Sequence, residues 1–99
     1  MSTHLNQEKF SLTAKTLLFP GISGWVYVPV PTEYTQLLKP FAHRGFVPVT
    51  ILLGTSTWKT SLLPYGDGTQ FIPLKASVRK QEHIAVGDVV TLEFWLREA

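Results

Sequence analysis

Apolar and polar residues alternate near the start of the chain. Phe10, Leu12, Ala14, Thr16 and Leu18 share one parity, and Lys9, Ser11, Thr13, Lys15 and Leu17 the other. A period of two is the signature of a half-buried strand, so a long strand is predicted until Pro20-Gly21 stops it. Trp25 to Pro31 reads as a second strand, rich in aromatic and β-branched residues, in which Pro29 has no amide to donate and so marks an edge or a bulge. Thr32 is placed to cap a helix that carries Glu33 in its first turn and runs through Leu37 and Leu38 to Lys39, with Pro40 helping to end it. A polar connector, Ala42 to Gly45, precedes the apolar run Phe46 to Leu53, which suits a buried strand. Gly54-Thr55 turns the chain into a strand over Thr57 to Leu63, with Trp58, Thr60 and Leu62 on one face. Pro64-Tyr65-Gly66-Asp67-Gly68 is a turn by composition.

The stretch Phe71 to Leu92 organises the remainder. Phe71 and Ile72 have strand character, Pro73 removes a ladder donor, and about two helical turns begin near Lys75. Ala76, Val78 and Arg79 fall on the narrow inward face, and Ser77, Lys80 and Gln81 on the wet one. Ile84 and Val86 are expected to return to the core before a Gly87-Asp88 turn and a last strand, Val89 to Leu96. A helix this short is not stable alone in water, because nucleation costs more than two turns recover; packing must hold it. The count is about six strands and two short helices. Strand, proline, short helix and strand occur in that order twice, at 25–53 and 71–96. Two copies of one unit would form a closed barrel with pseudo-twofold symmetry and no free strand edges. Coincidence is the alternative, since the order is common and identity between the halves is low.

Composition narrows the class. A chain of 99 residues, 44% hydrophobic and 16% charged, has a globular balance and can bury one core. One domain over residues 1–99 is expected, with residues 1–7 as a flexible tail. The absence of cysteine excludes disulfides, thiolate catalysis and cysteine-ligated zinc. The polar start does not resemble a signal peptide, and no apolar run approaches the roughly 18 residues of a membrane span. A soluble cytoplasmic protein without membrane partners is the expectation.

The net charge of +2 is unevenly spread. Lys39, Arg44, Lys59, Lys75, Arg79 and Lys80 face Asp67 alone between positions 39 and 80, whereas Glu82, Asp88, Glu93 and Glu98 outnumber Arg97 after it. So basic a middle segment can present a patch to an anion, although scattered solvated lysines are the commoner outcome.

Several segments carry a family resemblance: Gly24-Trp25-Val26-Tyr27-Val28-Pro29-Val30-Pro31, Val47-Pro48-Val49, Gly54-Thr55-Ser56-Thr57-Trp58-Lys59-Thr60-Ser61-Leu62-Leu63-Pro64, Pro73-Leu74-Lys75-Ala76-Ser77-Val78-Arg79-Lys80 and Gly87-Asp88. Together they resemble the bacterial domain-of-unknown-function family nineteen-zero-five, over nearly everything from Phe10 onward. The departures are Lys59, where arginine is frequent, and Leu63, where phenylalanine is. The first bears on binding, because lysine is a point charge and cannot grip bidentately. The resemblance implies a mainly β fold, a small closed or pseudo-closed double-split β-barrel, similar in architecture to AbrB and MazE transcription factors but closed within one chain. It implies no established activity.

Candidate chemistry is sparse. Gly54 to Ser61 offers hydroxyls and a lysine but not the spacing of a phosphate-binding loop, and a hairpin explains it as well. Ser61 lacks a nucleophile elbow, and His4, His43 and His83 lie far from it in sequence. Neither metal-ligand spacing nor a carboxylate pair is present. No catalytic residue, metal or cofactor is therefore assigned, and an enzyme is the least supported reading. A binding module has more support. Lys59, Ser61, Lys75, Arg79 and Arg44 could converge beside Trp58 or Trp25 if the hairpin packs against the second helix, to hold an anionic ligand or a protein partner. Nucleic acid is the alternative by analogy with the barrel family, against which a chain of charge +2 releases few counterions. For Arg79 a structural role, pairing with Asp88 or Glu93, stands beside the ligand-binding one.

Overall fold

A computed structural model describes residues 8–21 and 24–97; the expected N-terminal tail, residues 1–7, and His4 with it, lies outside the described residues. In chain order the elements are β1 (Phe10–Lys15), β2 (Leu17–Leu18), β3 (Val26–Pro29), α1 (Thr32–Leu38) with a 3-10 turn at Lys39–Phe41, β4 (Val47–Leu53), β5 (Ser56–Pro64), β6 (Gln70–Pro73), α2 (Ala76–Gln81) and β7 (Val89–Leu96). Every pairing is antiparallel, and the order across the sheet is β1-β7-β4-β5-β6-β3-β2. The two ends of that order, β1 and β2, are separated in the chain by Thr16 alone. The sheet therefore bends round to meet itself as a nearly closed barrel with two short helices.

Two strands are split between partners. The predicted long strand at Phe10 to Leu18 breaks at Thr16, with β1 pairing to β7 and β2 to β3. Likewise β5 pairs with β4 from Ser56 to Leu62 and with β6 at Leu63 and Pro64. Exchanging β1/β2 with β5, β3 with β6, and β4 with β7 reproduces the same pairings. The exchange extends to single bonds: Val30 N–H donates to the Gln70 carbonyl at 3.0 Å, and Leu74 N–H to the Val26 carbonyl at 2.8 Å. Tyr27-Val28-Pro29-Val30 occupies the place of Phe71-Ile72-Pro73-Leu74, and Leu17-Leu18 that of Leu63-Pro64, Leu17 pairing with Tyr27 as Leu63 does with Phe71.

The halves differ where the backbone must be satisfied in different ways. Thr16 N–H donates to the Asp88 carbonyl and the Thr16 carbonyl accepts from Gly87 N–H. In the other half Leu62 takes the place of Thr16 and pairs with Val47. The Thr60 carbonyl accepts from Arg97 Nη2 at 2.8 Å, while Arg97 Nε donates to the Val49 carbonyl.

Inside the barrel Val28, Val47, Val49, Ile51, Leu62, Ile72, Leu92 and Phe94 are fully covered, and Leu38, Leu74 and Val78 close the core from the helices. Four expectations are corrected. Leu18 is exposed, because the break at Thr16 ends the alternation. Val86 is exposed, since it sits in the turn where Asp88 N–H donates to the Ala85 carbonyl and Ala85 N–H to Asp88 Oδ2. Thr32 is the first helical residue and not the cap; Pro31 holds the cap position with no side-chain bond. Ala76 faces solvent, leaving Val78 as the one buried residue of α2. Pro29 pairs with Phe71 on one side and extends past the end of β2 on the other, so its missing N–H is called on by no ladder.

Candidate functional site

The chain enters α2 through Pro73, Leu74 and Lys75, and beside them the start of β3 brings Gly24 and Trp25. Between these segments lies a cleft of about 310 Å³ walled by Trp25, Val26, Pro73, Leu74, Lys75 and Arg79, near the lower end of the sizes typical of small-ligand sites. Its wall is mostly apolar. Trp25 is 45% exposed, whereas Trp58 is buried and Trp95 half-buried. The guanidinium of Arg79 is held in place, Nε donating to the Leu74 carbonyl at 3.0 Å and Nη2 to the Gly24 carbonyl at 3.3 Å. Those bonds use two of its five N–H donors. Lys75 also borders a shallower hollow of about 360 Å³ formed by Thr55, Ser56, Trp58, Ser77 and Gln81, and so lies between the two.

Of the residues singled out from sequence, Lys75 and Arg79 meet in the cleft and Trp25 joins them. Lys59 and Ser61 do not. They alternate with the buried Trp58 and Leu62 along β5 and so project from the strand's outer face. Arg44 sits with Gly45 in a two-residue turn, both at positive φ, closed by reciprocal bonds between His43 and Phe46. Gly45 packs beside Pro64, at the opposite end of β5 from the hairpin turn next to Lys75; six residues of strand, roughly 20 Å, separate Trp58 from Pro64. The proposed pairing of Arg79 with Asp88 or Glu93 is also corrected: its bonds go to carbonyls, and Asp88 turns its carboxylate to Ala85 N–H.

The condition on which convergence depended, the β4–β5 hairpin packing beside α2, is met through Glu82. Its Oε2 accepts from Ser56 Oγ at 2.6 Å, from Thr55 Oγ1 at 3.1 Å and from Thr55 N–H at 3.3 Å. Gly54 makes room for this clasp: a Cβ there would collide with the Glu82 carboxylate, and its φ of +61° is one that side chains avoid. The Ser56 hydroxyl, and after it Thr55, holds the Glu82 carboxyl below its ordinary 4.5. A depressed carboxylate pKa contributes stability above the unfolded value and loses it as pH falls through the folded one. Wild type is therefore expected to melt at a higher temperature than Glu82→Gln at pH 7, the gap closing as acid is added below about pH 4.5. Thermal melts of both proteins at stepped pH check this; a constant gap would show that the clasp does not depend on ionisation.

Among the described residues no three His, Asp or Glu gather as metal ligands, and no helix is long and apolar enough to cross a membrane. The family model described as "Domain of unknown function (DUF1905)" matches residues 13–94. The chain belongs to that family. No curated protein matches this DUF1905 chain. The match runs from within β1 to within β7 and takes in both walls of the cleft and the Glu82 clasp.

Proposed function

We propose that this DUF1905 chain is a non-catalytic binding module whose cleft accepts a ligand joining an anionic group to a flat apolar body. The observation that carries the reading is the pairing of an exposed indole, Trp25, with a guanidinium held in position by two carbonyls, Arg79, in a mostly apolar cleft that Lys75 also borders. An immobilised guanidinium loses less side-chain freedom when it meets an anion than a free one would. The indole offers stacking area at small entropic cost. The carboxylates of Glu82 and Asp88 are turned away to their own hydrogen bonds.

Anilinonaphthalene sulfonate, a planar aromatic anion, is a suitable probe. Its fluorescence on titration should give saturable binding that Trp25→Ala and Arg79→Gln each weaken about tenfold, equivalent to about 1.4 kcal/mol. Lys59→Gln and Arg44→Gln should leave it unchanged. Equal binding to all four variants would overturn the reading. So would single-stranded DNA binding that persists in Trp25→Ala and falls by about 0.7 log units per log salt per phosphate contacted, which would identify nucleic acid as the partner.

A further inference from the structure

From Ser56 to Leu62, β5 is paired along one edge only. Its partner there is β4, and β6 joins the other edge no earlier than Leu63, opposite Phe71. Successive residues of a strand offer their N–H and carbonyl to opposite sides. Tyr65 N–H donates to the Thr69 carbonyl and Thr55 N–H to Glu82 Oε2, so the odd-numbered residues of β5 turn their main-chain groups toward β6 and α2. Thr57 and Lys59 therefore face a side on which no strand lies. Among the described residues no bond outside the ladder reaches the N–H or the carbonyl of either. The barrel is open along this edge.

The other half closes the same place with its own side chains. Tyr34 and Val78 hold matching positions in α1 and α2, each N–H donating to the carbonyl of the cap residue, Pro31 or Lys75. Ser11 lies six residues before Leu17 and Thr57 six before Leu63, and Leu17 and Leu63 pair alike. In the first half the Tyr34 hydroxyl donates to the Ser11 carbonyl at 2.9 Å, and its ring meets Phe10 edge to face at 5.4 Å. In the second half Val78 has no hydroxyl to give, and Ser56, in the place of Phe10, turns its own to Glu82. What remains is the hollow of about 360 Å³ that Thr55, Thr57, Lys75, Ser77 and Gln81 border. An uncapped edge of this kind is a template for another strand. Its surroundings are cationic: Lys75 borders the hollow and Lys59 is exposed along the same strand. No carboxylate lines it, and that of Glu82 is already taken up by Ser56 and Thr55.

We propose that this edge takes up an extended acidic segment of a partner protein, one residue of which exchanges N–H and carbonyl bonds with Thr57 while its carboxylates meet Lys75 and Lys59. Main-chain bonds then supply affinity and the lysines select for charge. The Glu82 clasp bounds the site at the hairpin end and the Leu63–Phe71 pair at the other, so the added stretch is short. The decisive atoms belong to the main chain of β5 and not to the Trp25 cleft.

The test is an NMR titration of the full chain with the capped pentapeptide acetyl-Thr-Glu-Val-Glu-Thr-amide. Saturable shifts of the Thr57 and Lys59 amides are expected, with slower hydrogen exchange at Thr57 in the complex and an affinity that falls as salt is added. The same peptide with lysine for glutamate should bind at least about tenfold more weakly. Two further peptides, N-methylated at the valine or at both glutamates, probe the pairing itself: alternate N–H groups face the edge, so one should lose about tenfold and the other little. Thr57→Pro removes an N–H that no ladder uses; it should keep the fold and weaken the parent peptide about tenfold, whereas Trp25→Ala should leave it unchanged. Equal affinity of the two methylated peptides would overturn the proposal, as would equal binding of the lysine peptide. Should Thr57→Pro fail to fold, the methylated pair decides alone. A dimer of the free protein in sedimentation that Thr57→Pro abolishes would assign the edge to a second copy and overturn the acidic partner.

Discussion

Phe94→Ala is expected to lower the free energy of unfolding by about 4 kcal/mol, in the range found for deleting a buried phenylalanine. Phe94 is fully covered. Its ring stacks on Phe10 at 5.3 Å and meets the edge of Tyr34 at 6.0 Å. One side chain thus joins β7, which carries it, to β1 and to α1. Collapse around the lost ring is opposed from both sides, because β7 pairs with β1, Phe94 lying opposite Phe10, and with β4, Phe94 lying opposite Ile51. Small domains have about 5–15 kcal/mol in total, so the variant should be marginal or unfolded at growth temperature. Urea denaturation should show a lower midpoint at an unchanged slope. A loss below about 1 kcal/mol would mean that the barrel re-closes around the gap.

Thr16→Val should cost about 2 kcal/mol although the two side chains have nearly the same shape. Thr16 has no exposed surface, and its Oγ1 accepts from Gly87 N–H at 2.9 Å while its hydroxyl lies 3.0 Å from both the Ala85 and the Asp88 carbonyls. The residue that splits the first strand is thereby tied to the turn that launches the last one. Thr60, in the other split strand, is half-buried and makes no side-chain hydrogen bond among the described residues. Thr60→Val should therefore stay within about 0.5 kcal/mol of wild type. Chemical denaturation of the pair separates a specific knot from a general intolerance of valine; equal costs would discount the knot.

The strands were legible because their residues alternate. Val89–Leu96 matches its predicted bounds, β4 differs from its own by one residue at its start, and β5 by one residue at each end. The break at Thr16 was not legible, because threonine fits the apolar parity of the strand and gives no sign that its two sides will pair with different partners. The order of elements suggested a repeated unit, and the register bears it out at Tyr27-Val28-Pro29-Val30 and Phe71-Ile72-Pro73-Leu74, whereas the likeness of Lys15-Thr16-x-Leu18-x-Pro20 to Lys59-Thr60-x-Leu62-x-Pro64 lies two residues out of that register. At the candidate site, Lys75 and Arg79 were found because four residues on a helix are neighbours in space. Lys59 was misplaced on that cleft although its alternation with Trp58 already pointed it outward. Arg79's bonds to carbonyls could not be foreseen, since every residue offers the same acceptor and the sequence does not say which will be near.

The pairing of β1 with β7 also bears on synthesis. On a nascent chain β1 emerges before the other strands of the barrel, and β7, which must zip to it, after all of them. Until β7 has cleared the ribosome, the strand carrying Phe10, Leu12 and Ala14 has no ladder to join, and the barrel cannot close.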